Sequence, residues 1–113
     1  GVYNSGSIAG VIIDLDGLGI DQLGIPHKFT LYRNYPNPFN PVTTISYDIP
    51  TESDVTLIIY DITGRIVQTL VNESQQAGMK SIIWNATDVS SGVYIYRIQA
   101  GDFMQTRKMI LLK

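Results

Sequence analysis

Residues 34–41 read NYPNPFNP, and no other stretch restricts the fold of this chain as strongly. Proline fixes φ at about −65° and drives the residue before it toward extended conformations. Prolines at 36, 38 and 41 therefore exclude both a helix and the interior of a sheet here. The remaining option is a stiff, extended lead-in whose asparagines, Asn34, Asn37 and Asn40, can bond nearby main chain. Tyr35 and Phe39 are expected to lie against the strands downstream. Such a stretch could serve as a proline-rich ligand for an aromatic groove. No PxxP repeat continues beyond it, so an ordered connection opening a β-domain is the preferred reading.

From Val42 onward the chain reads as strand after strand. Residues 42–49, VTTISYDI, alternate Ile45, Tyr47 and Ile49 on one face with Thr44, Ser46 and Asp48 on the other. Residues 55–62, VTLIIYDI, are apolar on both faces, the pattern of a central strand covered on both sides or shielded by a neighbouring loop. Thr63, Gly64 and Arg65 turn the chain, with Gly64 free to take a positive φ. Residues 66–71, IVQTLV, place Ile66, Val67, Leu70 and Val71 at helical spacing. The run is short and rich in β-branched residues, so the expectation is a strand. A polar loop is expected over 72–78, then a strand at 80–85 that carries Trp84 into the core. A turn at 88–92 leads into 93–99, where Tyr94, Tyr96 and Ile98 share a face. Gly101 and Asp102 form a hairpin turn, and the closing strand covers 103–112. Short strands with turns every eight to twelve residues predict an antiparallel immunoglobulin-like β-sandwich of about seven strands.

Composition agrees. A chain of 113 residues suits one domain with a core that needs neither metal nor disulfide. Charged residues make up 16% and hydrophobic ones 44%, which favours a packed module over disorder. The net charge of −2 and the lack of any basic run argue against nucleic acid as a partner. With no cysteine, disulfide and thiol chemistry are excluded. There is no signal peptide and no apolar run of transmembrane length. The chain opens on Gly1 and reads as a piece of a longer protein.

Upstream of the proline stretch, residues 7–14, SIAGVIID, form an apolar run consistent with a buried strand. The segment 14–21, DLDGLGID, resembles a calcium loop only at its start. Counted from Asp14, Leu18 and Ile25 stand where two oxygen ligands belong, so no calcium is expected. Residues 17–28 are rich in glycine and read as a linker. His27 has no neighbouring ligand and suits a surface or packing role. Catalytic residues cannot be assembled: there is no G-x-S-x-G, no phosphate loop and no carboxylate pair that can be placed in a cleft.

Four pieces, NYPNPFNPVTTISY, LIIYDITGRIV, SSGVYIYRI and KMILLK, in this order, closely resemble the type A C-terminal sorting domain of the type IX secretion system. This family is similar in turn to the Ig-like module of flagellar hook-capping proteins. The resemblance covers about residues 31–113. It implies a non-catalytic address. The parent would cross the inner membrane and the periplasm, and the outer-membrane translocon would recognise the domain. A cell-surface sortase would then cut before the domain and attach the cargo to the surface. The family's motifs fall on Pro36, Asn37 and Pro38, on Gly92 and Tyr94, and on Lys108 and Lys113. Residues 1–30 would be a linker holding the cut site, or the last strand of an upstream cargo domain. No cofactor is implied.

Each of these residues also has a purely structural role open to it. The prolines can set an entry angle, Gly92 can permit a turn and Tyr94 can fill core. The two lysines can protect an exposed strand edge. In a regular strand the odd spacing of Lys108 and Lys113 puts them on opposite faces. A second functional class, an accessory adhesion or carbohydrate-binding sandwich, would call for a row of exposed aromatics or a complete calcium site.

Overall fold

The computed structural model describes residues 24–113. The apolar run at 7–14 and the calcium-loop segment at 14–21 lie outside them. Seven strands follow one another: β1 (Thr30–Leu31), β2 (Val42–Ile49), β3 (Ser53–Asp61), β4 (Ile66–Gln75), β5 (Gly78–Asn85), β6 (Gly92–Ala100) and β7 (Phe103–Leu111). They form two antiparallel sheets, β1-β2-β5 and β4-β3-β6-β7, packed as an immunoglobulin-like sandwich. Among the described residues no helix is long and apolar enough to cross a membrane.

The core arises from the period of two along each strand. Ile45, Tyr47 and Ile49 from one sheet meet Val55, Leu57, Ile59, Tyr96 and Ile98 from the other, all buried. Each such aliphatic side chain taken from water contributes about 1.5–3 kcal/mol before entropy is counted. Hydrogen bonds lace the layers together along both sides. On one, the Trp84 indole N–H donates to Gln68 Oε1 at 3.1 Å and the Tyr47 hydroxyl to Gln75 Oε1 at 2.6 Å. On the other, Arg107 Nε donates to the Leu31 carbonyl at 2.7 Å and the Tyr96 hydroxyl to the Tyr32 carbonyl at 2.7 Å.

Several expectations need correction. The segment expected as a polar loop over 72–78 is mostly strand, because β4 runs on to Gln75 and β5 begins at Gly78. Its side chains are polar because β4 is an edge strand with few neighbours to bury them. Among the described residues the central strand β3 is covered on one face only. Thr56, Ile58 and Tyr60 are half-buried on its outer side, where the described residues form no second layer and the Arg97 guanidinium lies 5.0 Å above the Tyr60 ring. The helical spacing of 66–71 has a different cause. Register shifts leave Val67 and Leu70 unpaired against β3, and each bulge advances the phase of the strand. Val67, Leu70 and Val71 thereby all reach the core.

The β3–β4 turn is built on Asp61. Its Oδ1 accepts bonds from the Thr63 N–H (2.9 Å), the Thr63 hydroxyl (2.6 Å) and the Arg65 N–H (3.1 Å). Gly64 sits at φ +90°, a conformation that strains any other residue. The bond from the Thr63 side chain, then those from the main chain, hold the Asp61 carboxyl below the usual carboxylate range. A lowered folded value means the support is complete above the unfolded carboxylate pKa and disappears as pH falls through the folded one. In an acid titration the Thr63 and Arg65 amide resonances are therefore expected to shift with Asp61 while the β3–β6 ladder stays intact. A Thr63 amide indifferent to that titration contradicts the assignment.

Candidate functional site

The proline stretch does not stand off the sandwich; it straps the two sheets together. Tyr35 bridges to Thr44 of β2 through N–H to carbonyl bonds of 3.0 and 2.9 Å. Two residues on, Asn37 Oδ1 accepts the Ile110 N–H of β7 at 3.0 Å. Phe39 then forms a parallel bridge to Leu111, donating to the Ile110 carbonyl and accepting from the Leu112 N–H, each at 3.0 Å. Lastly the Pro41 carbonyl accepts the Ala86 N–H at 2.8 Å. The Tyr35–Pro36, Asn37–Pro38 and Asn40–Pro41 peptide bonds are all cis.

Buried polar groups fix the root of this strap. Asn34 donates its side-chain amide to Thr43 Oγ1 (3.0 Å) and to the Pro36 carbonyl (3.2 Å), which also accepts the Thr43 hydroxyl at 2.8 Å. The Asn34 N–H donates to the Tyr96 hydroxyl at 2.9 Å. Burial pushes that hydroxyl above its ordinary pKa, opposed by the Asn34 bond. Sequence reasoning does not distinguish Asn34 and Thr43. Their signal, a polar pair flanking prolines, is shared with many exposed turns.

The sequence-derived residues gather around this strap. Phe39 is buried with its ring 5.7 Å from Trp84, and Trp84 meets Tyr94 edge-on at 5.6 Å. Tyr94 donates its hydroxyl to the Ser90 carbonyl at 2.6 Å, in the manner of the tyrosine corner of immunoglobulin-like sandwiches. Gly92, at φ +156°, opens β6 opposite Leu111. Lys113 lies beyond β7, its N–H bonded to Ser91 Oγ at 2.9 Å and its Nζ to the Thr87 carbonyl at 2.5 Å. Lys108 points outward on β7, away from the buried Met109 and Leu111. Tyr35, expected to lie against the fold, is instead 80% exposed on the outer face of the three-stranded sheet. Its register with the outward-facing Thr44 is what turns it to solvent.

Beside the strap, Arg33, Asn37, Thr106, Arg107 and Lys108 line a shallow groove of about 260 Å³. This cationic cluster is invisible in the linear sequence, because Arg33 and Arg107 are brought together only by the packing of the two sheets. Among the described residues no group of His, Cys, Asp or Glu is placed to hold a metal.

A two-sheet sandwich closed by a strap, with polar groups spent on holding that strap, defines a β-sandwich domain of the immunoglobulin-like class. The family model of the secretion system C-terminal sorting domain matches residues 33–112, and the chain belongs to that family. It is accordingly a C-terminal sorting domain of type IX secretion. No curated protein sequence matches the chain. Among solved structures it is similar to PorZ of Porphyromonas gingivalis, described as an essential bacterial surface component of the type IX secretion system. That likeness has a TM-score of 0.54 at 22% identity and covers 74% of this chain. The chain spans 11% of the length of PorZ, and the likeness is one of fold.

Proposed function

We propose that the strapped edge is the face by which the outer-membrane type IX translocon and its sortase recognise this domain. Residues 31–113 act as a non-catalytic address. Residues 1–30 form the linker that carries the cut site, or the last strand of the cargo. The cargo passes through the periplasm, is released from the domain by cleavage and is attached at the cell surface. One observation carries the reading: Pro36, Asn37, Pro38, Gly92, Tyr94, Lys108 and Lys113, scattered along the sequence, collect around the contact between the strap and the end of β7. Gly92 and Tyr94 have sufficient structural reasons for their identity. Lys108, exposed on β7, has none, and Lys113 has only the exposed bond from its Nζ to the Thr87 carbonyl, so recognition falls mainly to these two.

Fusing the whole chain to a folded reporter behind a signal peptide, in a host with a compatible type IX system, tests this. The Lys108→Ala/Lys113→Ala variant is expected to melt within a few degrees of the parent, since surface changes usually stay within about 0.5 kcal/mol. Its reporter is nonetheless expected to remain in the periplasm. Export equal to the parent's would reduce the lysines to edge protection, and failure of the parent itself to reach the surface would sink the sorting role. The adhesion reading gains one exposed ring, Tyr35, next to a second tyrosine, Tyr32, already bonded to Asp48. Two such rings do not make a stacking platform.

A further inference from the structure

We propose that the groove lined by Arg33, Asn37, Thr106, Arg107 and Lys108 seats an extended acidic polypeptide segment of the secretion machinery, added to the edge of β7 with its carboxylates among the three cations. The source of the partner rests on the sorting reading; its chemistry goes beyond it.

The charge distribution is the first argument. The chain is net acidic, with 10 acidic against 8 basic residues, yet three of those basic residues line one groove that, among the described residues, has no acidic residue in its wall. Arg107 is held by Nε to the Leu31 carbonyl at 2.7 Å, which fixes the plane of its guanidinium and leaves the terminal nitrogens for a carboxylate. Lys108 is exposed at the rim, on the outer face of β7, and Arg33 is exposed across from it.

Main-chain geometry chooses a polypeptide over a lone anion. On β7 the Ile110 N–H and carbonyl and the Leu112 N–H face the strap and are used by it. Groups two residues apart on a strand point to the same side, so Lys108 and Thr106 present theirs along the same edge, past the place where the strap ends. Among the described residues no strand pairs with them there. Alternating donors and acceptors suit an added strand, whereas a phosphate would use only the donors. The strap itself demonstrates that this edge takes an extended chain in parallel. Three cations on a net-acidic chain are too few for a nucleic acid.

The test titrates the isotope-labelled full chain, at low ionic strength, with a synthetic peptide of alternating Thr and Glu and with its Thr/Gln counterpart. The expected result is saturable binding of the acidic peptide with amide shifts centred on residues 104–110, weakening as salt is added. The Arg33→Gln/Lys108→Gln variant should keep its melting temperature and bind about tenfold more weakly. Equal binding of the Gln peptide, shifts confined elsewhere, an unaffected variant, or inorganic phosphate competing as well as the peptide overturns the proposal. The export assay separates the two readings. Parent and Arg33→Gln/Lys108→Gln variant exported alike removes the groove from recognition and leaves the sorting role standing. A parent that is not exported removes the secretion machinery as the partner, and the titration alone then decides the chemistry of the groove.

Discussion

Replacing Trp84 by alanine is expected to cost about 3–5 kcal/mol, the range for deleting a large buried aromatic. Trp84 is 1% exposed and central to an aromatic row, with Phe39 5.7 Å to one side and Tyr94 5.6 Å to the other. Its indole N–H also holds Gln68 of the opposite sheet at 3.1 Å. The substitution therefore opens a cavity between the layers and removes a bond that ties them together. Against a total stability of about 5–15 kcal/mol, the variant should unfold at far lower urea or fail to accumulate. Trp84→Phe separates the two effects, because it retains most of the ring volume and loses only the hydrogen bond, at about 0.5–1.5 kcal/mol plus a partial cavity. A Trp84→Ala loss below about 1 kcal/mol would be inconsistent with this packing.

Phe39→Ala should fall in the same range, about 3–5 kcal/mol, with a different local signature. Phe39 is the only strap side chain in the hydrophobic core, and its main chain makes both bonds of the bridge to β7. Without the ring, the bridge has no anchor. Hydrogen exchange at the Phe39 and Leu112 amides should then rise well above that of the β3–β6 ladder. The bared edge of β7 should also promote self-association, since an unpaired edge strand is a template for another chain. Asn37→Ala keeps the ring and deletes only the side-chain acceptor of the Ile110 N–H, so it should cost about 0.5–1.5 kcal/mol without association. Should Phe39→Ala exchange uniformly across the domain, the strap is not a separate unit.

The strands were legible because their signal is local. Alternation in VTTISYDI and VYIYRIQ needs no knowledge of neighbours, and Ile45, Tyr47, Tyr96 and Ile98 are buried as that alternation requires. Where a neighbour decides, the pattern misleads. Ile58 is apolar on the outer side of β3 although no layer of the described residues covers it, and the polar tail of β4 is strand because β3 pairs with it through Ser53 and Gln75. The proline stretch was recognisable as extended, and Phe39 as a ring in search of a surface. Nothing in it reveals that its partner is Leu111 at the far end of the sequence, or that Tyr35 faces solvent. The same limit hides the groove, whose cations at Arg33 and Arg107 meet only after Leu31 has docked on β7.

The parallel sense of the Phe39–Leu111 bridge also has a mechanical meaning. The strap enters from the upstream side and β7 leaves toward the downstream end. A force drawing the two ends of the chain apart slides these segments lengthwise past each other. The Ile110–Phe39 and Phe39–Leu112 bonds then take the load together, in shear, instead of opening one after another like a zip. Tension arriving from upstream loads the short β1–β2 pairing and the Tyr35–Thr44 bridge first, and then meets this clamp before it reaches the four-stranded sheet.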